Sequence, residues 1–186
     1  MNIMWHGGTS FSLENDTTQV VIDPIQGKTT HDICLFTSEQ TMSQDTHTFD
    51  WPGEYEVGGI GWTAMNQSRE NGDENLMYLF DIEHMKIFHL GMLDSNLEED
   101  QLKEIGDVDI LCVPLGGNDS INAKKAAILV EKIEPRIVIP MLFDDSQLHE
   151  FQKEIGADQI ETVDTLQMKK SQLPTDDTRY VVLKKQ

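Results

Sequence analysis

Basic residues are scarce in this sequence of 186 residues. Lysine and arginine together number 14 against 33 aspartates and glutamates, so the formal net charge is −19 at pH 7. A surface of this charge repels nucleic-acid phosphates and anionic membranes, which excludes binding of either through a basic face. An acidic partner is disfavoured for the same reason, whereas a basic partner is compatible with the charge.

Cysteine is nearly absent as well. The two cysteines, Cys34 and Cys112, each lie inside an apolar run typical of a buried strand. This context favours buried, reduced thiols over a disulfide or a metal site.

A long apolar segment is also missing. Residues 1–5 are strand-like and contain no charged leader, so we expect neither a signal peptide nor a transmembrane helix, and a cytoplasmic location. The hydrophobic content of 38% is that of an ordinary soluble globular protein. The length suits one core, so we expect a single domain spanning residues 1–186.

The two halves of the chain carry different patterns. The first half is rich in short strands, with a helix signal absent before residue 37. The predicted strands are residues 2–6, 10–14, 19–23, 33–36, 60–66, 76–82 and 85–90. The second half alternates buried strands (108–114 and 136–140) with helices (97–105 after a cap at Asn96, 122–133 and 146–155). We therefore predict an α/β (α+β) fold with two mixed sheets flanked by helices, a four-layer αββα sandwich.

Six short segments form a series along the first three quarters of the chain. They begin with Ile-Met-Trp-His-Gly-Gly-Thr-Ser-Phe at 3–11, Val-Val-Ile-Asp-Pro at 20–24 and Pro-Gly-Glu-Tyr-Glu-Val-Gly-Gly-Ile at 52–60. The segments 88–91, 113–117 and 138–141 follow. In this order they resemble the metallo-β-lactamase superfamily, and within it the branch of ascorbate-6-phosphate lactonase-like hydrolases. The resemblance implies the αββα sandwich and hydrolysis that depends on one or two metal ions, which activate water and polarise the substrate.

The metal ligands that this resemblance implies are missing from the sequence. Thr37 fits the first residue of the family's Thr-His-x-His-x-Asp-His loop, but no ligand follows it. The positions that the family's ligands would occupy, called the candidate ligand positions below, hold Gly8, Ser38, Gln40, Met42, Ser43, Met92 and Leu142. Hydroxyl, amide and thioether groups are poor zinc ligands. A third histidine, expected after the second hairpin, is replaced by one of Asn66, Gln67 or Ser68.

Other polar residues could remain from such a site, namely His6, Asp23, Glu54, His89 and Asp94. His89 is interpreted as a satisfied core histidine rather than a ligand. A pairing of His6 or His89 with Ser38 or Ser43 as a nucleophile lacks an orienting acid. Asp94 could bind a hard cation together with Asp144 and Asp145, although helix capping is the favoured role for these carboxylates. Glu54 and Glu56 are expected to form structural hydrogen bonds to a turn.

The sequence therefore predicts a metal-free, catalytically inactive protein of this fold that serves as a binding, scaffold or assembly module. No cofactor is expected, and the partner is an unknown protein or the chain itself. A homo-oligomer is implied by the resemblance alone. The alternative is a hydrolase of a lactone or phosphorylated sugar that uses zinc or manganese at a relocated or atypical site.

Overall fold

The computed structural model describes residues 1–25, 32–38, 47–116, 120–157 and 159–186. Gln40, Met42 and Ser43 lie outside the described residues, as does Gly117. Of the candidate ligand positions, four can therefore be placed: Gly8, Ser38, Met92 and Leu142.

Two mixed sheets make up the body of the protein. The six-stranded sheet has the order β13-β1-β2-β3-β4-β5, and the eight-stranded sheet has the order β12-β14-β11-β10-β9-β8-β7-β6. The strands are β1 (Asn2–Gly7), β2 (Ser10–Glu14), β3 (Gln19–Ile22), β4 (Ile33–Leu35), β5 (His47–Phe49), β6 (Gly53–Val57), β7 (Ile60–Asn66), β8 (Leu76–Ile82), β9 (Met85–His89), β10 (Ile110–Pro114), β11 (Ile137–Met141), β12 (Glu161–Val163), β13 (Leu166–Gln167) and β14 (Arg179–Leu183).

Three α-helices follow the strands of the eight-stranded sheet. They are α1 (Glu99–Ile105), α2 (Ala123–Ile133) and α3 (Asp145–Glu154). Asn122 caps α2 through its side chain, which accepts from the backbone of Lys125 at 3.0 Å. Asp144 caps α3 in the same way through Gln147, at 2.9 Å. Each cap satisfies a backbone N–H that the first turn of a helix leaves without an intrahelical partner.

Parallel strands occupy the middle of the larger sheet. β10 pairs in parallel with β9 on one side and with β11 on the other. All five residues of β10 and all five of β11 are buried, because the sheet is covered on both faces there. The carboxyl ends of β9, β10 and β11 consequently meet at one edge, from which Met92 and Leu142 follow.

The two sheets share one hydrophobic core. Ile3 and Phe11 of the smaller sheet and Phe80 and Ile87 of the larger sheet belong to the same buried cluster. Direct hydrogen bonds also join the sheets, since the Leu76 amide donates to the Thr37 carbonyl at 2.8 Å and the Tyr78 hydroxyl donates to the Phe36 carbonyl. Cys34 and Cys112 are buried and form no disulfide, as the sequence predicted.

The predicted fold is confirmed, with differences in particular elements. The helix predicted to follow a cap at Asn96 begins two residues later than expected, at Glu99, because Glu98 is the extended capping residue and Leu97 is drawn into the core. The sequence did not predict β5, β12 or β13. No helix of the described residues is long and apolar enough to cross a membrane.

Candidate functional site

The described candidate ligand positions lie at the ends of four strands. Gly8 follows β1, Ser38 comes three residues after β4, Met92 comes three residues after β9, and Leu142 follows β11 directly. Of these, Gly8 carries no side chain. The other three carry a hydroxyl, a thioether and an isobutyl group, so none supplies an imidazole or a carboxylate.

Leu142 occupies the space between two glycines. A Cβ atom built on Gly8 would lie 3.9 Å from Leu142 Cδ1, and one built on Gly116 would lie 2.8 Å from Leu142 Cδ2. The backbone of Leu142 has a φ of 52°, a left-handed conformation that leucine rarely adopts. A half-buried apolar side chain on a strained backbone therefore lies where the turn after β1 meets the carboxyl ends of β10 and β11.

An aromatic pair closes the same region from one side. The ring of Trp5 stacks on Phe143 with centroids 5.3 Å apart. The Trp5 indole N–H donates to the Gly8 carbonyl at 2.9 Å, which ties the turn after β1 to the segment after β11.

Asp23 joins the loops on the other side. Its carboxylate accepts hydrogen bonds from the Thr37 amide (2.8 Å), the Thr37 hydroxyl (2.7 Å) and the Thr9 hydroxyl (2.6 Å). Part of the residue is exposed, but the carboxyl group is enclosed, and this burial raises its pKa although the three hydrogen bonds oppose the rise. Asp23 therefore binds the end of β4 to the turn between β1 and β2.

His89 is enclosed at the end of β9. Its Nε2 lies 3.1 Å from the Thr9 carbonyl, and its Nδ1 accepts from the Gly91 amide at 3.2 Å. Burial lowers the pKa of His89 to about 4, so the ring is neutral at pH 7 with its proton on Nε2. Both ring nitrogens are engaged by the backbone, as a satisfied core histidine requires.

Asn75 makes a contact at this site that the sequence interpretation missed. The polar, acidic segment 67–75 predicts a mobile loop that ends at this residue, yet Asn75 is 1% exposed. Its amide donates to the Leu90 carbonyl at 3.1 Å and accepts from the Met92 amide at 2.7 Å. A Cβ on Gly91 would lie 2.3 Å from Asn75 Oδ1, so the glycine is required here. The Gly91 signature was the available sequence signal, but nothing local pointed to Asn75.

The structure does not bring the remaining sequence candidates together. The Nε2 atom of His6 contacts the Ser12 hydroxyl, so the proposed pairing of a histidine with Ser38 is not formed by His6 or His89. Ser43 lies outside the described residues. Asp94 Oδ2 accepts from the Glu70 amide at 2.9 Å and lies 3.8 Å from Arg69 Nε. Asp144 forms the N-terminal cap of α3.

Glu54 and Glu56 differ from expectation. Both side chains are exposed on β6, and neither forms a hydrogen bond or ion pair with any other described residue, so the predicted bonding to a turn is wrong for this part of the chain. β6 is separated from β9 by two strands, which places Glu54 roughly 14 Å from the strand of His89. Glu54 is therefore not part of the site around Leu142.

A groove that the sequence did not predict lies at the opposite end of the parallel strands. It is a groove of about 1060 Å³ beside the start of β10 and β11. Asp109, at its floor, accepts from Lys170 Nζ at 2.7 and 2.9 Å and from the Lys86 amide at 2.8 Å. Arg136 Nε lies 3.6 Å from the same carboxylate. The cations nearest to Asp109 are thus used to neutralise a buried charge.

The donor set at the candidate ligand positions does not fit zinc or manganese. Structural and catalytic zinc sites use thiolate, imidazole and carboxylate ligands, and the described positions offer one hydroxyl and one thioether. Nowhere among the described residues do three or more histidines, cysteines, aspartates or glutamates converge as a metal site would need. No metal chemistry can be assigned to residues of this kind.

The chain is similar in sequence to several known proteins. The family model for the beta-lactamase superfamily domain matches residues 2–142. A UPF0173 protein of Pyrococcus furiosus is 32% identical over 105 residues, covering 55% of this chain and 49% of that protein. A UPF0173 metal-dependent hydrolase of Thermococcus onnurineus is 27% identical over 116 residues, covering 56% and 52%. The chain spans about half the length of the curated relatives that it matches.

A solved structure matches nearly the whole chain. It is the crystal structure of a candidate zinc-dependent hydrolase of the metallo-β-lactamase superfamily from Thermotoga maritima, with a TM-score of 0.84, 26% identity, and coverage of 98% of this chain and 97% of that one. The names of these relatives point to a metallo-hydrolase, which favours the alternative predicted from the sequence over the metal-free protein. The family model matches more than half of the chain, the chain forms two mixed sheets, and the strand ends meet around Leu142 as the fold predicts. This chain therefore belongs to the beta-lactamase superfamily.

Proposed function

We propose that this chain is a metal-independent member of the superfamily that acts as a binding module rather than as a hydrolase. The observation that carries the proposal is Leu142, which lies against Gly8 and Gly116 where the resemblance assigns ligand positions. Among the described residues, the candidate ligand positions around Leu142 supply only a hydroxyl and a thioether, which are poor zinc ligands. Apolar filling stabilises such a site without metal, because unpaired imidazoles and carboxylates are unfavourable when buried.

The polar contacts around Leu142 support the same function. Asp23 binds Thr9 and Thr37, His89 binds Thr9 and Gly91, and Asn75 binds Leu90 and Met92. These contacts hold together the loops that a metal would otherwise join. The proposal includes the closer likeness to the ascorbate-6-phosphate lactonase-like branch, which depends on the segments 3–11, 20–24 and 52–60.

The second candidate function is a metal-dependent hydrolase of a lactone or phosphorylated sugar that uses zinc or manganese at a relocated site. The names of the relatives favour it, since several are called metal-dependent hydrolases and the Thermotoga maritima protein is described as zinc-dependent. This candidate needs ligands other than the residues at Gly8, Ser38, Met92 and Leu142.

Metal analysis separates the two functions. The protein is produced with zinc and manganese in the medium, dialysed, and measured by inductively coupled plasma mass spectrometry beside the Thermotoga maritima protein as the control. We expect far less than one equivalent of metal per chain, because the donor set is poor. A full equivalent of zinc or manganese that resists dialysis would overturn the proposal.

Assays of substrate hydrolysis on the same preparations test the proposal independently. Lactones and sugar phosphates are incubated with the protein in the presence of added zinc or manganese, and again with a chelator. We expect no hydrolysis above the protein-free rate in either case. Hydrolysis that requires the metal and disappears with the chelator would establish the second candidate instead.

A further inference from the structure

β6 forms one edge of the larger sheet, and no described strand pairs with its outer side. The strand pairs antiparallel with β7, with Glu54 opposite Thr63 and Glu56 opposite Gly61, and it is the last strand in the order of the sheet. An edge strand directs the N–H and C=O groups of every second residue away from its neighbour. An extended segment of another protein can pair with those groups and extend the sheet by one strand.

Exposed apolar side chains flank this strand. Among the described residues, the large hydrophobic side chains that remain exposed are Trp51 (73%), Ile128 (44%) and Val57 (38%). Two of the three belong to β6 or the turn before it. An exposed tryptophan next to an unpaired edge is a common feature of binding surfaces.

The charge of the strand defines the chemistry of a partner. Glu54 and Glu56 are two residues apart, so their side chains lie on the same face of β6. Both are exposed, and no described residue neutralises either of them. Residues opposite Glu54 and Glu56 on an added antiparallel strand would themselves be two apart, so lysine or arginine in alternate positions would pair with both.

A second copy of this chain fits the edge poorly. Antiparallel pairing of two β6 strands about Tyr55 would place Glu54 opposite Glu56 in both halves of the pair, and like charges directly opposite are destabilising. Each chain also carries a formal net charge of −19. Charge complementarity therefore selects a basic segment over self-association.

The strand is held rigid from the inner side. Tyr55 stacks on Trp62 with centroids 5.5 Å apart, and Phe49 contacts both rings at 4.9 and 5.1 Å. The Tyr55 hydroxyl donates to the Trp51 carbonyl at 3.1 Å, which fixes the turn. An edge that is ordered before binding loses little conformational entropy when a partner adds to it.

From these observations we propose that the β6 edge surface, consisting of Trp51, Glu54, Glu56 and Val57, binds an extended protein segment in which lysine or arginine alternates with β-forming residues. This inference rests on the proposed function, since it names the partner of a binding module. The surface lies away from Leu142 and requires no metal.

Binding is tested with a short, capped peptide that alternates threonine and lysine, labelled for fluorescence anisotropy. A peptide of the same composition with its lysines in one block is the control ligand. We expect the alternating peptide to bind more tightly than the block peptide, because only the alternating peptide presents a charge opposite each glutamate. The double variant Glu54→Gln/Glu56→Gln should weaken the alternating peptide roughly tenfold.

A matched variant controls for the overall charge. Glu99→Gln/Glu104→Gln removes two exposed carboxylates from α1. It changes the net charge by the same amount as Glu54→Gln/Glu56→Gln, but it should leave the affinity for the alternating peptide unchanged. Hydrogen exchange supplies a second readout, because strand addition protects backbone amides within residues 53–57 and non-specific attraction does not. Equal loss of affinity in both double variants, equal binding of both peptides, or no protection at β6 would overturn the proposal.

The result is separable from the test of the proposed function. If the peptide does not bind and the protein holds no metal and shows no turnover, only the β6 edge surface is wrong. If a full equivalent of metal and metal-dependent turnover are found, the binding-module function is wrong whatever the peptide does.

Discussion

Leu142 is the residue whose chemistry departs most from that of a hydrolase site. It combines a left-handed backbone (φ 52°) with an apolar side chain that packs between Gly8 and Gly116. For an L-residue this backbone conformation costs about 1–2 kcal/mol, whereas glycine adopts it freely.

Two substitutions at this position separate the backbone from the side chain. Leu142→Ala keeps the strained backbone and loses the packing, so we expect it to destabilise the protein by about 1–2 kcal/mol, since the side chain is only half-buried. Leu142→Gly loses the same packing but relieves the strain, so it should be more stable than Leu142→Ala. Chemical denaturation with urea measures both. A glycine variant less stable than the alanine variant would contradict the strained conformation.

His89 makes the stability of the protein sensitive to acid. Its pKa is lowered from 6.5 to about 4 by burial, so below pH 6.5 the unfolded chain binds a proton that the folded chain does not. The unfolded state is then favoured, and stability falls as the pH falls from 6.5 through 4 by about 3 kcal/mol.

The variant His89→Gln tests this pH dependence. It removes the titrating ring, so the difference in unfolding free energy between pH 7 and pH 4 should be smaller in the variant than in the original protein. Urea denaturation at several pH values gives both curves. Identical pH dependence in the two proteins would show that His89 does not carry the effect, whatever the absolute stability of the variant.

At the scale of elements, Asn75 connects the start of β8 to the turn after β9. It is buried and bonds both the Leu90 carbonyl and the Met92 amide. We expect Asn75→Ala to lower the unfolding free energy by about 1–3 kcal/mol. It leaves the Met92 amide without its side-chain acceptor and removes one of two bonds to the Leu90 carbonyl, which also accepts from the Leu93 amide at 3.3 Å. Thermal and urea unfolding provide the measurement.

Asn71 offers a matched control in the same loop. It also makes two hydrogen bonds, both to Asp73, but it is exposed to water. Asn71→Ala should change stability by less than about 0.5 kcal/mol. Equal effects of the two substitutions would mean that the buried contacts of Asn75 do not connect the two loops as described.

Some strands could be predicted from the sequence and others could not. β2, β7 and β8 were predicted at their observed bounds, because alternating or continuous apolar runs are a local signal. β5, β12 and β13 have two or three residues each, and β13 pairs with β1 from the other end of the chain, with Asn2 opposite Gln167. Pairing of this kind is decided by tertiary contacts that no local pattern records.

At the scale of the whole molecule, the excess of negative charge opposes compactness. A formal net charge of −19 at pH 7 produces repulsion over the surface that dissolved salt screens. We expect sodium chloride to raise the melting temperature by about a few degrees between low and physiological ionic strength. The measurement is differential scanning calorimetry.

The variant Glu99→Gln/Glu104→Gln serves as a control for this effect too. With two fewer exposed carboxylates it should start from a higher melting temperature at low salt and gain less when salt is added. A melting temperature that does not change or falls with salt in the original protein would show that repulsion between surface charges is not limiting.

The single domain, the cytoplasmic location and the homo-oligomer stay predictions. The absence of bound metal is part of the proposed function and awaits the metal analysis. The fold class and superfamily membership are established by the family match over residues 2–142 and by the likeness to the Thermotoga maritima structure.

The sequence by itself determined the fold class and the residue types at the candidate ligand positions. Apolar periodicity specifies which strands are buried, and the chemistry of Gly8, Ser38, Met92 and Leu142 is independent of their arrangement. Only the tertiary structure decided which groups meet. Asp23 lies against Thr9 and Thr37, and Leu142 lies between Gly8 and Gly116. These contacts join residues distant along the chain, and they exist because the two sheets pack face to face and bring their strand ends to one edge.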